Sequence, residues 1–82
     1  MDHNVIHMDQ IGKELARAVD DAIRESGLSV RHVADKSGIS FTTLNRKIRG
    51  LGQTPLNAVE LYHIAQTLKR PLSSLLPEAM QL

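Results

Sequence analysis

The strongest constraint on the fold lies in residues 29–50, which read SVRHVADKSGISFTTLNRKIRG. Two short helices are predicted here, because Ser29 and Ser40 stand where a serine side chain can accept a hydrogen bond from a first helical turn. Gly38 lies between them, where the backbone needs a left-handed conformation that costs little only for glycine. Gly50 follows the second helix and ends it. The stretch therefore predicts two helices joined by a tight turn.

The two sides of the second predicted helix differ in chemistry. The positions of the two-helix unit that face inward are apolar, and they are Val33, Ala34, Ile39, Leu44 and Ile48. The positions of the second helix that face outward are mostly polar or basic, and they are Phe41, Thr42, Thr43, Asn45, Arg46, Lys47 and Arg49. A helix-turn-helix with such a donor-rich face is suited to the major groove of DNA.

Positive charge is concentrated on the same unit. The chain of 82 residues has a formal net charge of +1, but residues 26–50 hold five lysines and arginines and one acid. Residues 1–25 hold six acids and three bases. A basic patch is typical of a nucleic-acid surface, although by charge alone a solvated helix face explains it equally well. The helix-turn-helix pattern favours the nucleic-acid interpretation.

Other classes of protein fit the composition poorly. Without cysteine, neither a disulfide framework nor a Cys-based zinc site can form. No third ligand completes a metal site around His3 and His7, and adjacent Asp20 and Asp21 would point about 100° apart on a helix. No Gly-rich phosphate loop or Ser/His/Asp constellation supports an enzyme. We therefore expect a cytoplasmic protein that is not an enzyme, with no catalytic residues, no metal and no cofactor.

A long helix is predicted before the two-helix unit. Asp9 can cap it, and it runs to about Ser26, with Gly27 ending it. Its apolar residues recur every three or four positions and form one stripe, consisting of Ile11, Leu15, Ala18, Val19, Ala22 and Ile23.

Two more helices are predicted after the unit. Asn57 and Glu60 have the spacing of a capping box, and this helix runs to about Lys69. Its buried positions are expected to be Val59 or Ala58, with Leu61, Ile64, Ala65 and Leu68. Pro71 opens a last short helix over residues 72–76, and Pro77 ends it. The chain is thus predicted to be an all-α, compact five-helix domain over residues 9–77, with a flexible arm at 1–8 and a tail at 78–82.

This framework resembles the Cro/repressor-type helix-turn-helix family, also called the xenobiotic-response-element family. The matching positions are Leu28, Ser29, Val33, Ala34, Gly38, Ile39, Ser40, Leu44, Gly50, Pro55, Leu61, Ile64, Ala65 and Leu68. The resemblance spans residues 9–77 and implies a lambda-repressor-like fold. It also implies a sequence-specific transcriptional regulator, in particular a small phage or bacterial repressor that binds a near-palindromic DNA operator as a homodimer.

The resemblance implies roles for individual residues. The recognition helix is expected at about 41–49, with base contacts from Phe41, Thr42, Asn45 and Arg46. Phosphate contacts are expected from helix starts, basic side chains and the following loop, namely Ser29, Val30, Arg31, Lys36, Ser40, Thr43, Lys47, Arg49, Gln53 and Thr54.

Four positions depart from the family pattern, and one of them is Arg70, which replaces a usual apolar residue. Val30 replaces a frequent glutamine, so a polar bridge to the start of the recognition helix is lost. Phe41 replaces a polar residue, and it either contacts a thymine methyl group or covers the edge of the core. Lys47 stands where many relatives have an apolar residue, which leaves Ile48 to face inward.

The end of the chain supplies the candidates for a dimer interface, which are Leu72, Leu75, Leu76, Met80 and Leu82. Leu72 and Leu75 could equally well close the core of the monomer. An alternative function is an antitoxin or adaptor that uses the same fold to bind a protein partner, and the apolar tail permits it. A DNA-bound regulator would associate with the nucleoid, and no membrane segment is expected.

Overall fold

The computed structural model describes residues 3–51 and 55–77, with side chains from residue 11 onward. In these residues the chain forms four α-helices and one 3₁₀-helix, and it forms no strand. The helices are α1 (His3–Ser26), α2 (Val30–Ser37), α3 (Phe41–Ile48) and α4 (Ala58–Leu68), and the 3₁₀-helix η1 is Leu72–Leu75. None of the described helices is long and apolar enough to cross a membrane.

Local capping sets the boundaries of α2 and α3. Ser29 Oγ accepts a hydrogen bond from the backbone N–H of His32 at 3.0 Å, and Ser40 Oγ accepts one from Thr43 N–H at 3.2 Å. Gly38 adopts φ +75° at the end of α2 and donates its N–H to the carbonyl of Ala34. These contacts confirm the predicted caps and the tight turn between the helices.

The predicted capping box of α4 is also confirmed. Asn57 Oδ1 accepts from Glu60 N–H at 2.8 Å, and Glu60 Oε1 accepts from Asn57 N–H at 2.9 Å. Leu56 and Leu61 are both buried, and they occupy the two positions of a hydrophobic staple around this cap. The cap therefore fixes both the start of α4 and the direction from which the chain enters it.

A single apolar core joins all the elements. Side chains with no exposed surface come from α1, α2, α3, α4 and η1, and they are Val19, Val33, Leu44, Ile64 and Leu75. Around them lie the other buried members of the predicted stripes, including Leu15, Ala22, Ile23, Ala34, Ile48, Ala65 and Leu68. The position of α3 is therefore fixed by apolar contacts on its inner side.

The structure corrects two predictions about packing. Val59 and Ala58 both face solvent, with Val59 64% exposed, because Leu56 takes the buried position ahead of α4. Leu75 is fully buried, so it closes the core of the monomer and offers no surface to a second copy. The element that carries it is shorter than predicted, since Pro71 and Pro77 leave room for one 3₁₀ turn rather than a fifth α-helix.

The N-terminal boundary also differs. Helix α1 begins at His3, six residues before the predicted start at Asp9. Residues 3–8 contain neither glycine nor proline, so nothing in this segment ends the helix. The flexibility expected of residues 1–8 stays a prediction, and the predicted tail at 78–82 lies outside the described residues.

Two glycines should respond to alanine in opposite directions. We expect Gly38→Ala to lower the free energy of unfolding by about 1–2 kcal/mol, because a side chain is strained at positive φ. An added Cβ at Gly38 has nothing within 4 Å, so the cost lies in the backbone alone. The measurement is urea-induced unfolding followed by circular dichroism.

Gly12→Ala is the matched control. Gly12 lies inside α1, where the nearest atom to an added Cβ is Pro55 Cβ at 4.0 Å. The substitution should raise the free energy of unfolding by about 0.5–1 kcal/mol. Equal effects of the two substitutions would contradict the left-handed conformation of Gly38.

Candidate nucleic-acid interface

The outer face of α3 is open to solvent along its whole length. Leu44 and Ile48 hold the helix against the core, with 0% and 5% of their surfaces exposed. On the opposite side the exposed residues are Thr42, Thr43, Arg46 and Arg49, whereas Phe41, Asn45 and Lys47 are half-buried at the flanks. Of the predicted base-reading residues, Thr42 and Arg46 are thus exposed to solvent, whereas Asn45 and Phe41 are partly covered by the rest of the protein.

Uncompensated positive charge accompanies this face. Arg46 on α3, Arg49 directly after it, and Arg31 and Lys36 on α2 are exposed and take part in no ion pair with a described residue. Cations without acidic partners attract phosphates most strongly, because no local carboxylate competes for them. Residues 26–50, in which lysine and arginine are concentrated, therefore also form a basic surface in the folded protein.

The hydroxyl groups at the start of α3 are linked to each other. Ser40 Oγ donates to Thr43 Oγ1 at 2.8 Å while it accepts from Thr43 N–H. Because a hydroxyl group has one hydrogen, Ser40 has none left for a phosphate, whereas Thr43 keeps its own. The structure therefore favours Thr43 over Ser40 as a donor to a ligand.

Phe41 is shared between the core edge and Arg31. Its ring packs against the core cluster, and the guanidinium carbon of Arg31 lies 4.2 Å from the ring centroid. A cation–π contact at an exposed site contributes about 0.5–1 kcal/mol. This stack joins the first turn of α2 to the first turn of α3.

Lys47 differs from Arg46, the other basic residue of α3, because its side chain forms an ion pair within the protein. Its ammonium group lies 3.0 Å and 3.1 Å from the two carboxylate oxygens of Glu60 at the start of α4. The predicted phosphate contact of Lys47 therefore competes with an ion pair inside the protein. Sequence reasoning identified Glu60 as a capping residue but gave no sign that it also reaches α3.

A basic groove adjoins the end of α3. It has a volume of about 310 Å³ and lies between α1 and the C-terminal end of α3. Lys13, Arg17 and Arg49 contribute the positive charge of its lining, together with Asp20. The position of Lys13 and Arg17 beside Arg49 depends on how α1 packs on α3, which the sequence pattern does not show.

Several predicted site residues cannot be placed. Gln53 and Thr54 lie in the gap at 52–54, and Met80 and Leu82 lie beyond residue 77, so all four are outside the described residues. The side chains of His3 and His7 are likewise not described. Among the residues that are, no group of three or more His, Cys, Asp or Glu is arranged to hold a metal ion.

The family comparison matches this region. Residues 13–54 match the family described as helix-turn-helix, Psq domain. The chain belongs to the Psq helix-turn-helix family. The match runs from Lys13 in α1 through α2 and α3, so it contains the exposed basic face described above.

This Psq match establishes a helix-turn-helix DNA-binding domain. It gives no evidence for the Cro/repressor family in particular, which the sequence framework resembles. No curated protein matches the chain. Membership of the Psq family therefore explains why the chain carries a DNA-binding surface. The bases that this surface recognises are inferred from its side chains.

The Arg31–Phe41 stack can be tested by a double-mutant cycle in the absence of DNA. We expect the effects of Arg31→Ala and Phe41→Ala on the free energy of unfolding to be non-additive by about 0.5–1 kcal/mol. The measurement is chemical denaturation of the two single variants and the double variant. The pair Lys36→Ala and Phe41→Ala serves as a control, and additive effects in both cycles would show that the stack contributes nothing.

Proposed function

We propose that this Psq domain is a sequence-specific regulator that binds double-stranded DNA by inserting α3 into the major groove. The observation that carries the proposal is the two-sided character of α3. Its inner side is held in the core by Leu44 and Ile48, while Thr42 and Arg46 on its outer side are exposed, as is Arg49 directly after it. Neither arginine pairs with an acid among the described residues. A rigidly held helix with a free donor-rich face meets the requirements of groove reading.

Base reading falls to the residues near the middle of α3. Arg46 suits the O6 and N7 atoms of guanine, and Asn45 suits N6 and N7 of adenine. Thr42 can contact a thymine methyl group, as can the edge of the Phe41 ring that Arg31 leaves uncovered. Each good base contact would discriminate against a wrong base by roughly 1–3 kcal/mol.

Phosphate binding falls to the surroundings of that helix. The proposed contacts are the first turn of α2 at Ser29, Val30 and Arg31, the side chains of Lys36, Thr43 and Arg49, and the loop residues Gln53 and Thr54. Free N–H groups at a helix start and unpaired cations both favour anions, and such contacts make binding salt-dependent.

A homodimer on a near-palindromic operator is the most economical assembly. A single short helix reads few base pairs, and a two-fold dimer places two such helices about one turn of DNA apart. Leu72 is 39% exposed and Leu76 is half-buried, so both remain candidates for the interface, together with Met80 and Leu82. Such a dimer would repress transcription by occupying its operator. The cytoplasmic location of the protein stays a prediction.

A role in binding a protein partner is the second candidate. Val59 and Tyr62 lie one turn apart on α4 and are 64% and 49% exposed, so this helix offers two large side chains to a partner, beside exposed His63 and Gln66. An adaptor of this kind would show no salt-dependent retention on DNA. Retention that falls steeply with salt favours the regulator.

Substitution of Arg46 tests the assignment of base reading. We expect Arg46→Ala to abolish the sequence preference measured by selection from a random pool of duplex DNA, because a guanine contact is lost. Lys36→Ala, which removes an exposed base on α2, should weaken binding evenly across sequences and keep the preferred site. If the Arg46→Ala protein selected the wild-type site, readout by this residue would be wrong.

A further inference from the structure

The ion pair between Lys47 and Glu60 differs from the pairs that Arg24 forms with Asp20 and Arg70 forms with Glu25. The side chains of Lys47 and Glu60 are only 14% and 18% exposed. Arg24 and Asp20 are 77% and 25% exposed, and Arg70 and Glu25 are 34% and 67% exposed. Salt screens an enclosed pair much less than an exposed one. Lys47 is therefore paired under conditions in which surface pairs are largely screened.

Glu60 is itself held in place from α4. One of its carboxylate oxygens, Oε1, accepts from both Lys47 Nζ and the backbone N–H of Asn57. The carboxylate also lies in the first turn of α4, where the positive end of the helix dipole favours an anion. Since Glu60 is part of a capping box, it cannot follow Lys47 outward without uncapping α4.

The side chain of Lys47 therefore points away from the exposed side of α3. Lys47 follows Arg46 directly in sequence, but Arg46 is exposed and Lys47 is drawn toward α4. The face proposed to meet DNA thus keeps Arg46 and Arg49 and loses the charge of Lys47. A lysine without a fixed partner would add a phosphate contact, and phosphate contacts carry no sequence information.

We propose that Glu60 is a positioning residue that withholds Lys47 from the DNA backbone. The ion pair lowers the contribution of phosphate contacts to affinity on every DNA sequence and makes binding less dependent on salt, while the contacts to bases stay as they are. This inference rests on the proposed DNA-binding function and assigns Lys47 to the protein rather than to phosphate. Glu60 acts through Lys47 and need not touch DNA itself.

The test is the salt dependence of binding to a duplex of random sequence. Glu60→Gln removes the charge, but glutamine can still fill the third position of a capping box, so α4 should keep its start. Freed from Glu60, Lys47 should add one phosphate contact and steepen the slope of log K against log salt by about 0.9. Across a fourfold change in salt, this increment alters affinity by about 3.5-fold.

Two further variants show whether Lys47 is responsible. Lys47→Met in the otherwise unchanged protein should leave the slope as it is, because the paired ammonium contributes no phosphate contact. The double variant Lys47→Met/Glu60→Gln should also have the wild-type slope. Glu25→Gln is the charge-matched control, since it removes an acid that pairs with Arg70 rather than with α3, and it should leave the slope unchanged.

The opposite results overturn the proposal. A slope that falls by about 0.9 in Lys47→Met would show that Lys47 already binds phosphate in the native complex. An unchanged slope in folded Glu60→Gln would show that Glu60 withholds nothing, and circular dichroism establishes that each variant is folded. If the wild-type protein itself shows no salt-dependent binding, the proposed function fails, and the role proposed for Glu60 fails with it. If the wild type binds but the variants behave otherwise than expected, only the role of Glu60 is refuted.

Discussion

The positions of all interface residues on α3 depend on the burial of Leu44 and Ile48. These two side chains, four residues apart, fix both the position and the rotation of α3 in the core. Burial of a leucine or isoleucine side chain contributes about 1.5–3 kcal/mol, which is a large share of the stability of so small a domain. Because α3 has only eight residues, it could not hold its helical form alone. The burial of the inner side of α3 therefore determines which of its residues are exposed on the outer side.

Two side-chain contacts refine this arrangement from either end of α3. At its start, Arg31 from α2 stacks on Phe41, and at its end Glu60 from α4 holds Lys47. Both contacts use charges that a simple inventory would count as available for DNA. The basic residues at α3 therefore differ: among the described residues Arg46 and Arg49 have no acidic partner, whereas Lys47 is paired with Glu60.

The sequence predicted what is local and missed what depends on distant neighbours. The caps at Ser29, Ser40 and Asn57 lie within three residues of their partners, so the boundaries of α2, α3 and α4 could be predicted. The Lys47–Glu60 pair joins residues thirteen positions apart, and no periodic pattern encodes it. The exposure of Val59 and the burial of Leu75 likewise follow from how the chain enters and leaves α4.

Chemical protection of a selected DNA site shows whether α3 enters the major groove. Dimethyl sulfate methylates N7 of guanine, which lies in the major groove, and N3 of adenine, which lies in the minor groove. Bound protein is expected to protect guanine N7 in each half-site and to leave adenine N3 reactive. Protection of adenine N3 with guanine N7 still reactive would place the protein in the minor groove and show that α3 does not enter the major groove.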